Sequence, residues 1–301
     1  MEEITEPSFK YHRILVPLDG SELAEMAMTP AVEIASFMEA EVHCLQVVTG
    51  LTLNLDPYLN QRIINAREQM ANLYLRSLRR RFTKSKIDII TSTTSGSAAI
   101  SIIDYAKKED INLIVMSSHG QSALSRWVYG NVAIKILRRA PCDTLMIRPL
   151  GTTESLPKKR VMVPLDGSPL SELALKPAVA LASVWELDIM LLRVSPPLFS
   201  DQDPISSHDF FDEIEEKLNE EAMAYLLDIQ AVQARDSLSI SVETASGPEA
   251  ATLVDMANKN EVDLIVMSSH GRSGVGLWLM GSVSEKVLRK ASCATLIVRN
   301  E

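Results

Sequence analysis

The chain has 301 residues, of which 46% are hydrophobic and 23% charged, and its formal net charge is −9. This composition is typical of a globular protein, and the acidic balance argues against binding to the phosphate backbone of nucleic acid. The three cysteines lack the paired spacing of a metal site, and their odd number favours a reducing compartment over a disulfide framework.

Five short apolar segments predict the strands of the first half, in the order RILVPLD, EVHCLQVV, IDIITSTT, NLIVMSS and DTLMIRP. Helical patterns separate these strands. The first helix follows Ser21, which we expect to cap it. A longer helical segment covers about residues 57 to 84 and includes the basic run RSLRRRFTK. We interpret that run as the solvated end of a helix, where cations complement the helix dipole.

The second half repeats the pattern with RVMVPLD, LDIMLLRVS, LSISVETAS, DLIVMSS and ATLIVRN, and its long helical segment covers about residues 205 to 235. Asp19 and Asp166 are 147 positions apart, and Gly120 and Gly271 are 151 apart. The two copies therefore stay in register apart from a net insertion of four residues. The sequence predicts two domains, 1–150 and 158–301, joined by the polar segment PLGTTESLPKKR.

The alternation of strands and helices predicts a doubly wound α/β fold in each half, with five parallel strands in the order 3-2-1-4-5. Ligands of such sheets bind at the carboxyl ends of the strands, where the winding reverses. The first and fourth strands, which are neighbours at that point, end in VPLDGS and VMSSHG. These are also the two best-preserved stretches between the halves, so we predict a site there.

The residue types at these strand ends suit a nucleotide. Gly271 and Gly281 permit close backbone approach, and we expect Ser282 to cap the last helix and to donate to a phosphate. Asp166 can accept hydrogen bonds from ribose hydroxyls or from donors on the adenine side. The residues alone leave two interpretations open, because the repeated loop is either a binding loop or a structural hinge used twice. His270 is interpreted as a residue that fixes its loop, and we predict no catalytic residue.

These loops resemble those of the universal stress protein family, and the resemblance extends over nearly the whole chain. The nucleotide-binding members of the family carry a glycine, two residues, a second glycine, nine residues, and then a glycine followed by serine or threonine. The second half has, at these positions, Ser268, Gly271, Gly281 and Ser282. The first half has, at the same positions, Ser117, Gly120, Gly130 and Asn131. Only the second half keeps the final hydroxyl residue, so we predict that it binds more tightly.

The resemblance implies a Rossmann-like fold that binds ATP, with Mg²⁺ as a further candidate. The site residues implied in the second half are Pro164, Asp166, Val194, Met267, Ser268, Gly271, Arg272, Gly281, Ser282 and Val283. Those implied in the first half are Pro17, Asp19, Val47, Met116, Ser117, Gly120, Gly130 and Asn131. The proline, valine and methionine positions would line the adenine pocket. Arg272 would add positive charge near the phosphates, where the first half has Gln121.

The function that follows from the resemblance is that of a stress-response regulator. Two alternatives stay open: a stress scaffold whose loops bind nothing, and a slow ATPase. The fifth strands, which lie at the dimer interface of the family, would join the halves as an internal pseudo-dimer, with a homodimer of chains and unidentified protein partners as further expectations. No apolar run approaches the ~20 residues that cross a bilayer, and the first residues, MEEITEPSFKYHR, are acidic. We therefore expect a cytoplasmic protein without a membrane partner.

Overall fold

The computed structural model describes residues 9–49, 56–117, 130–148, 159–197, 208–234, 238–271 and 280–300. These residues form two compact units, one in each half of the chain. None of the described helices is both long and apolar enough to cross a membrane.

The first unit is a parallel sheet covered by helices. Its strands are β1 (Arg13–Leu18), β2 (Glu41–Val48), β3 (Ile89–Ser95), β4 (Leu113–Ser117) and β5 (Asp143–Ile147). Its helices are α1 (Glu22–Glu25), α2 (Met28–Met38), α3 (Pro57–Arg81), α4 (Ala98–Lys108) and α5 (Asn131–Arg139). The strand order is β3-β2-β1-β4-β5, and each neighbouring pair is parallel.

The second unit repeats this arrangement. Its strands are β6 (Arg160–Pro164), β7 (Asp188–Ser195), β8 (Ile240–Ser246), β9 (Leu264–Ser268) and β10 (Ala294–Val298). Its helices are α6 (Pro169–Glu172), α7 (Leu175–Trp185), α8 (His208–Gln233), α9 (Glu249–Lys259) and α10 (Ser282–Lys290). The order β8-β7-β6-β9-β10 is the predicted order 3-2-1-4-5, and all pairs are again parallel. The predicted doubly wound fold is confirmed in both halves.

The apolar composition of β4 and β9, the fourth strand of each unit, explains why they lie in the interior of the sheet. Every residue of β4 and of β9 is buried, including the apolar runs LIVM on both faces of each strand. A strand of this kind needs helices on both sides, which the βα connections supply. Because each buried leucine or isoleucine contributes roughly 1.5–3 kcal/mol, these strands anchor the core and hold their carboxyl ends in place.

Side-chain caps fix where the short first helix of each unit begins. Ser21 accepts a hydrogen bond from the backbone N–H of Ala24, as predicted, and Ser168 accepts one from Ser171 in the second unit. Asp56 caps α3 by accepting from Tyr58 and Leu59. These bonds satisfy N–H groups that have no partner inside the helix.

One buried polar cluster distinguishes the first unit. His43 on β2 is 3% exposed, and its Nδ1 lies 3.0 Å from the hydroxyl of Tyr105 on α4. Its Nε2 is 3.6 Å from a carboxylate oxygen of Glu41, which is too long for a hydrogen bond. Burial lowers the pKa of His43, and the attraction of Glu41 and Glu109 offsets that effect only in part while Arg13 adds to it. The counterpart of His43 in β7 is the fully buried Met190.

Replacing His43 with methionine should make the protein less sensitive to acid. Because the pKa of His43 is lower in the folded state, the unfolded chain binds the proton more tightly, and stability is lost as the pH falls below about 6.5. Urea unfolding at pH 7.5 and 5.5 measures the free-energy change for wild type and for His43→Met. We expect the wild type to lose more stability on acidification. An equal loss in both proteins would show that His43 does not contribute to the acid sensitivity.

Candidate functional site

A cavity of about 260 Å³ lies in the second unit, at the carboxyl ends of β6, β7 and β9 and the beginning of α10. This is close to the lower limit of ligand pockets, roughly 300 Å³. Its lining includes nine of the predicted site residues, namely Pro164, Asp166, Val194, Met267, Ser268, Gly271, Gly281, Ser282 and Val283. The structure therefore brings these residues together, while their role in binding remains a prediction.

The other predicted residues lie in the first unit or outside the described residues. Arg272, Gly120 and Gln121 lie outside the described residues. The remaining ones lie at the carboxyl ends of β1, β2 and β4 and at the beginning of α5, namely Pro17, Asp19, Val47, Met116, Ser117, Gly130 and Asn131. These are the same places in the fold that their counterparts occupy in the second unit.

A tight turn orients the aspartate in each unit. One carboxylate oxygen of Asp166 accepts from the backbone N–H of Ser168 at 2.9 Å and from its hydroxyl at 2.6 Å. Gly167, between them, has φ +83°, a left-handed conformation that side chains disfavour. Asp19 and Ser21 make the same pair of bonds, at 3.0 and 2.6 Å. The turn thus holds a carboxylate at the end of the first strand of each unit.

The carboxylate of Asp166 lies directly against the backbone of Gly271. A Cβ added to Gly271 would collide with the second carboxylate oxygen, Oδ2. Glycine is needed here because Asp166, rather than a side chain at 271, occupies this space. Since β6 and β9 are neighbours in the sheet, this contact joins the ends of the two strands.

The serine that replaces the first glycine of the family motif is accommodated by the protein itself. Ser268 is 5% exposed, and its hydroxyl donates to Asn300 at 3.1 Å and accepts from the backbone N–H of His270 at 3.3 Å. The hydroxyl of Ser284 in turn donates to the carbonyl of Ser268 at 3.0 Å. These bonds connect the end of β9 to α10 and to Asn300, two residues after the end of β10.

The beginning of α10 differs from the prediction in one respect. Ser282 does not cap the helix but is its first residue, and Gly281 holds the cap position with φ −60° and ψ 151°. In the first unit Gly130 holds the cap position and Asn131 begins α5. Glycine is selected at 281 because a Cβ there would lie 3.2 Å from the carbonyl oxygen of Ser269. No side chain caps α10, and its first residues, Ser282 and Val283, line the cavity, so their backbone N–H groups can bind an anion.

The cavity also contains residues that the sequence analysis did not select. They are Leu165, Ser171, Leu192, Glu249, Leu253, His270 and Ser284. Leu165 and Leu192 could have been found from the apolar runs, since they lie within two residues of selected positions, whereas Leu253 on α9 lies far from any of them in the sequence. Nδ1 of His270 lies 3.0 Å from the hydroxyl of the adjacent Ser269, and its role in fixing the loop stays a prediction.

The sequence analysis also did not select Arg193, whose positive charge lies next to the aspartate turn. The guanidinium of Arg193 lies 5.1 Å from the ring centre of Tyr225, and a Cβ on Gly167 would be 3.3 Å from its nitrogen. The hydroxyl of Tyr225 donates to Glu172 at 2.9 Å. Burial and this bond raise the pKa of Tyr225, so the phenol stays protonated. The first unit has Gln46 in place of Arg193. This difference between the halves is the feature of the sequence that could have identified the arginine.

The chemistry of the cavity is that of binding. It combines an apolar wall, a carboxylate and the amino end of a nine-residue helix. Within the described ranges no group of three or more histidine, cysteine or acidic side chains is placed to hold a metal ion. The three cysteines are buried, and burial raises the pKa of Cys44 to about 12, which keeps its thiol protonated.

Comparison with known proteins agrees with this architecture. The model of the universal stress protein family matches residues 10–148 and 158–299. A universal stress protein of Methanocaldococcus jannaschii is 31% identical over 144 residues, which cover 47% of this chain and 82% of that protein.

A solved structure shows the same fold over nearly the whole chain. The crystal structure of a universal stress protein from Archaeoglobus fulgidus covers 97% of each chain with a TM-score of 0.67 and 18% identity. Another universal stress protein, solved in complex with cAMP, matches 46% of this chain and 98% of its own, at 19% identity and a TM-score of 0.38.

Substituting Gly271 by alanine should destabilise the second unit through its contact with Asp166. We expect the free energy of unfolding to fall by about 1–3 kcal/mol, because the added methyl group overpacks the turn. In an Asp166→Ala background the same substitution should lower the free energy of unfolding by at least ~0.5 kcal/mol less, since the carboxylate that collides with the methyl group is absent. Denaturant unfolding of the four proteins measures this coupling. Strictly additive costs would contradict the contact.

Proposed function

Because the chain belongs to the universal stress protein family in both halves, we propose that it is a stress-response regulator that binds ATP in the cavity of the second unit. The observation that carries this proposal is the convergence of Asp166, Gly271 and the uncapped amino end of α10 on one cavity. We also propose that the domains extend over 1–150 and 158–301 and form an internal pseudo-dimer.

The adenine would bind against the apolar part of the lining. Pro164, Val194 and Met267 supply this surface from three adjacent strands. Asp166 is oriented by its turn so that its carboxylate can accept hydrogen bonds from the ribose hydroxyls. A base between apolar side chains and a sugar on a fixed carboxylate together define the orientation of the nucleotide.

The phosphates would bind at the amino end of α10. The backbone N–H groups of Ser282 and Val283 have no partner inside the helix, and the helix dipole favours negative charge there. Gly281 lets the phosphates approach the backbone closely. Arg193, which lies beside the aspartate turn and outside the lining of the cavity, would add a more distant positive charge, where the first unit has Gln46. Mg²⁺ would be held mainly by the phosphates themselves, since it favours phosphate and water oxygens over protein cages.

The two units should bind with different affinity. In the second unit the hydroxyl of Ser282 follows the cap glycine, whereas the first unit has the bulkier Asn131 at that place. The charge of Arg193 is replaced by the neutral Gln46. Both differences favour an anion in the second unit. The scaffold alternative, in which neither unit binds a nucleotide, rests on Ser117, Ser268 and Asn131 at positions of the family motif.

Calorimetric titration of nucleotide-free protein with ATP and Mg²⁺ tests the proposal. We expect saturable binding that Gly281→Ala weakens by about tenfold or more, because the methyl group displaces the phosphates from the helix end. Gly130→Ala changes the equivalent cap position of the first unit, where an added Cβ meets nothing within 4 Å, and should change the affinity little. Denaturant unfolding without nucleotide measures how much of the Gly281→Ala effect comes from the contact of its methyl group with Ser269. No heat in the wild type, with an unchanged melting temperature at saturating ATP, would favour the scaffold alternative.

Hydrolysis of the bound nucleotide should not be accelerated. Among the described residues no group of three or more histidine, cysteine or acidic side chains is placed to hold a metal ion, so we expect no efficient metal-assisted activation of a water molecule. Phosphate release by wild type should therefore not exceed that of Asp166→Ala in a steady-state assay with ATP in excess. A faster release by wild type would instead indicate a slow ATPase.

A further inference from the structure

The long helices α3 and α8 occupy equivalent places in the two units but have opposite charge. Helix α3 packs on β2 and β3, and α8 packs on β7 and β8. The 25 residues of α3 contain six arginines and one glutamate, a net charge of +5. The 26 residues of α8 contain eight acidic residues and one lysine, a net charge of −7.

Helix α3 also has an exposed apolar stripe. Only Ala71, Leu75 and Leu78 of this helix are buried. On another face Met70 is 69% exposed and Leu73 is 65% exposed, and Leu59 and Ala66 continue the stripe toward the amino end. Large apolar side chains at helical spacing that are not covered by their own domain are typical of a docking surface.

Helix α8 presents a similar combination with the opposite sign. Leu227 is 46% exposed and, with the exposed Ala224, lies at helical spacing from Glu216 and Glu220. Leu218 and Val232, which are 37% and 78% exposed, lie on another face of the helix. The glutamates between residues 213 and 221 are exposed as well. Each helix therefore offers apolar side chains beside charges that complement those of the other.

The stability of each helix explains only part of its charges. Arg79, Arg80 and Arg81 lie in the last turn of α3, where the helix dipole favours cations, but Arg76 lies before that turn. The helix dipole acts within the first and last turns, whereas Glu220 lies in the middle of α8. Arg76 and Arg80 are four residues apart, as are Glu216 and Glu220, and like charges at this spacing destabilise their own helix. In the part of the chain that the structure describes, none of these four side chains forms an ion pair.

We propose that α3 of one chain docks antiparallel on α8 of a second copy of the chain. The basic residues of α3 are concentrated at its carboxyl end, and the acidic residues of α8 at its amino end, so only the antiparallel direction brings them together. A register with Arg76 opposite Glu220 and Arg80 opposite Glu216 also brings Met70 and Leu73 to the neighbourhood of Leu227 and Ala224.

Each copy has both faces, so the pairing either closes into a dimer with two equal contacts or continues into longer assemblies. The interaction should depend strongly on salt, since exposed charges are screened over ~10 Å at 0.1 M and ~3 Å at 1 M ionic strength. The apolar stripe keeps part of the contact at high salt. This surface is separate from the cavity and does not depend on nucleotide binding.

Sedimentation velocity of the full chain over a range of concentrations tests the docking. We expect concentration-dependent association that weakens at high salt and that Arg76→Glu/Arg80→Glu weakens by about tenfold or more. Glu216→Lys/Glu220→Lys should have the same effect. The two variants mixed in equal amounts should associate again, because each then meets a face of opposite charge. Circular dichroism confirms that both variants remain folded.

A control variant separates the docking from a general effect of charge. Lys107→Glu/Lys259→Glu changes the net charge by the same amount as Arg76→Glu/Arg80→Glu, but on the exposed faces of α4 and α9. It should leave the association unchanged. A monomer at all concentrations in low salt would overturn the proposal, as would association that neither salt nor charge reversal affects. A monomer that binds a labelled single-stranded oligonucleotide through Arg76 and Arg80 would also overturn it and assign the basic face to nucleic acid.

Discussion

The contact between the carboxylate of Asp166 and the backbone of Gly271 joins the ends of two strands that line the second unit's cavity. It is possible because β6 and β9 are adjacent parallel strands whose carboxyl ends meet at the same edge of the sheet. The turn at Ser168 fixes the carboxylate from one side, and glycine leaves space for it on the other. From this edge the backbone continues through Ser269, whose carbonyl accepts from the N–H of Gly281 at 2.8 Å, to the beginning of α10. One aspartate thus links both sides of the cavity.

The two halves share this frame but have diverged at the positions that decide their chemistry. Arg193 corresponds to Gln46, Ser282 to Asn131 and Met190 to His43. Since backbone geometry at the aspartate turns is nearly the same, with φ +83° at Gly167 and +84° at Gly20, these differences act through side chains rather than through the fold. Divergence also extends to the outer helices, whose opposite charges make one half complementary to the other half of a second chain.

Much of the fold could be predicted because the same pattern of strands and helices occurs in both halves of the sequence. Runs such as LIVM are apolar at every position, which is typical of a central parallel strand, and their repetition gives the strand order by the rules for doubly wound sheets. The cap position of α10 could not be predicted from residue type, since Gly281 and Ser282 are both acceptable caps and only backbone angles distinguish them. Arg193 was missed because its proximity to Gly167 depends on how β7 lies beside β6. Charge on α3 was visible in the sequence, whereas the exposure of Met70 depends on which face the helix buries.

The central claim is that the amino end of α10 binds the phosphates of a nucleotide, and backbone amide exchange measures this most directly. Hydrogen–deuterium exchange of the full chain, with and without ATP and Mg²⁺, reports on the N–H groups of Ser282, Val283 and Ser284. The account predicts that ATP slows exchange in the peptide that contains these residues and leaves the corresponding peptide around Asn131 much less affected. Equal exchange at the beginning of α10 with and without saturating ATP would contradict it.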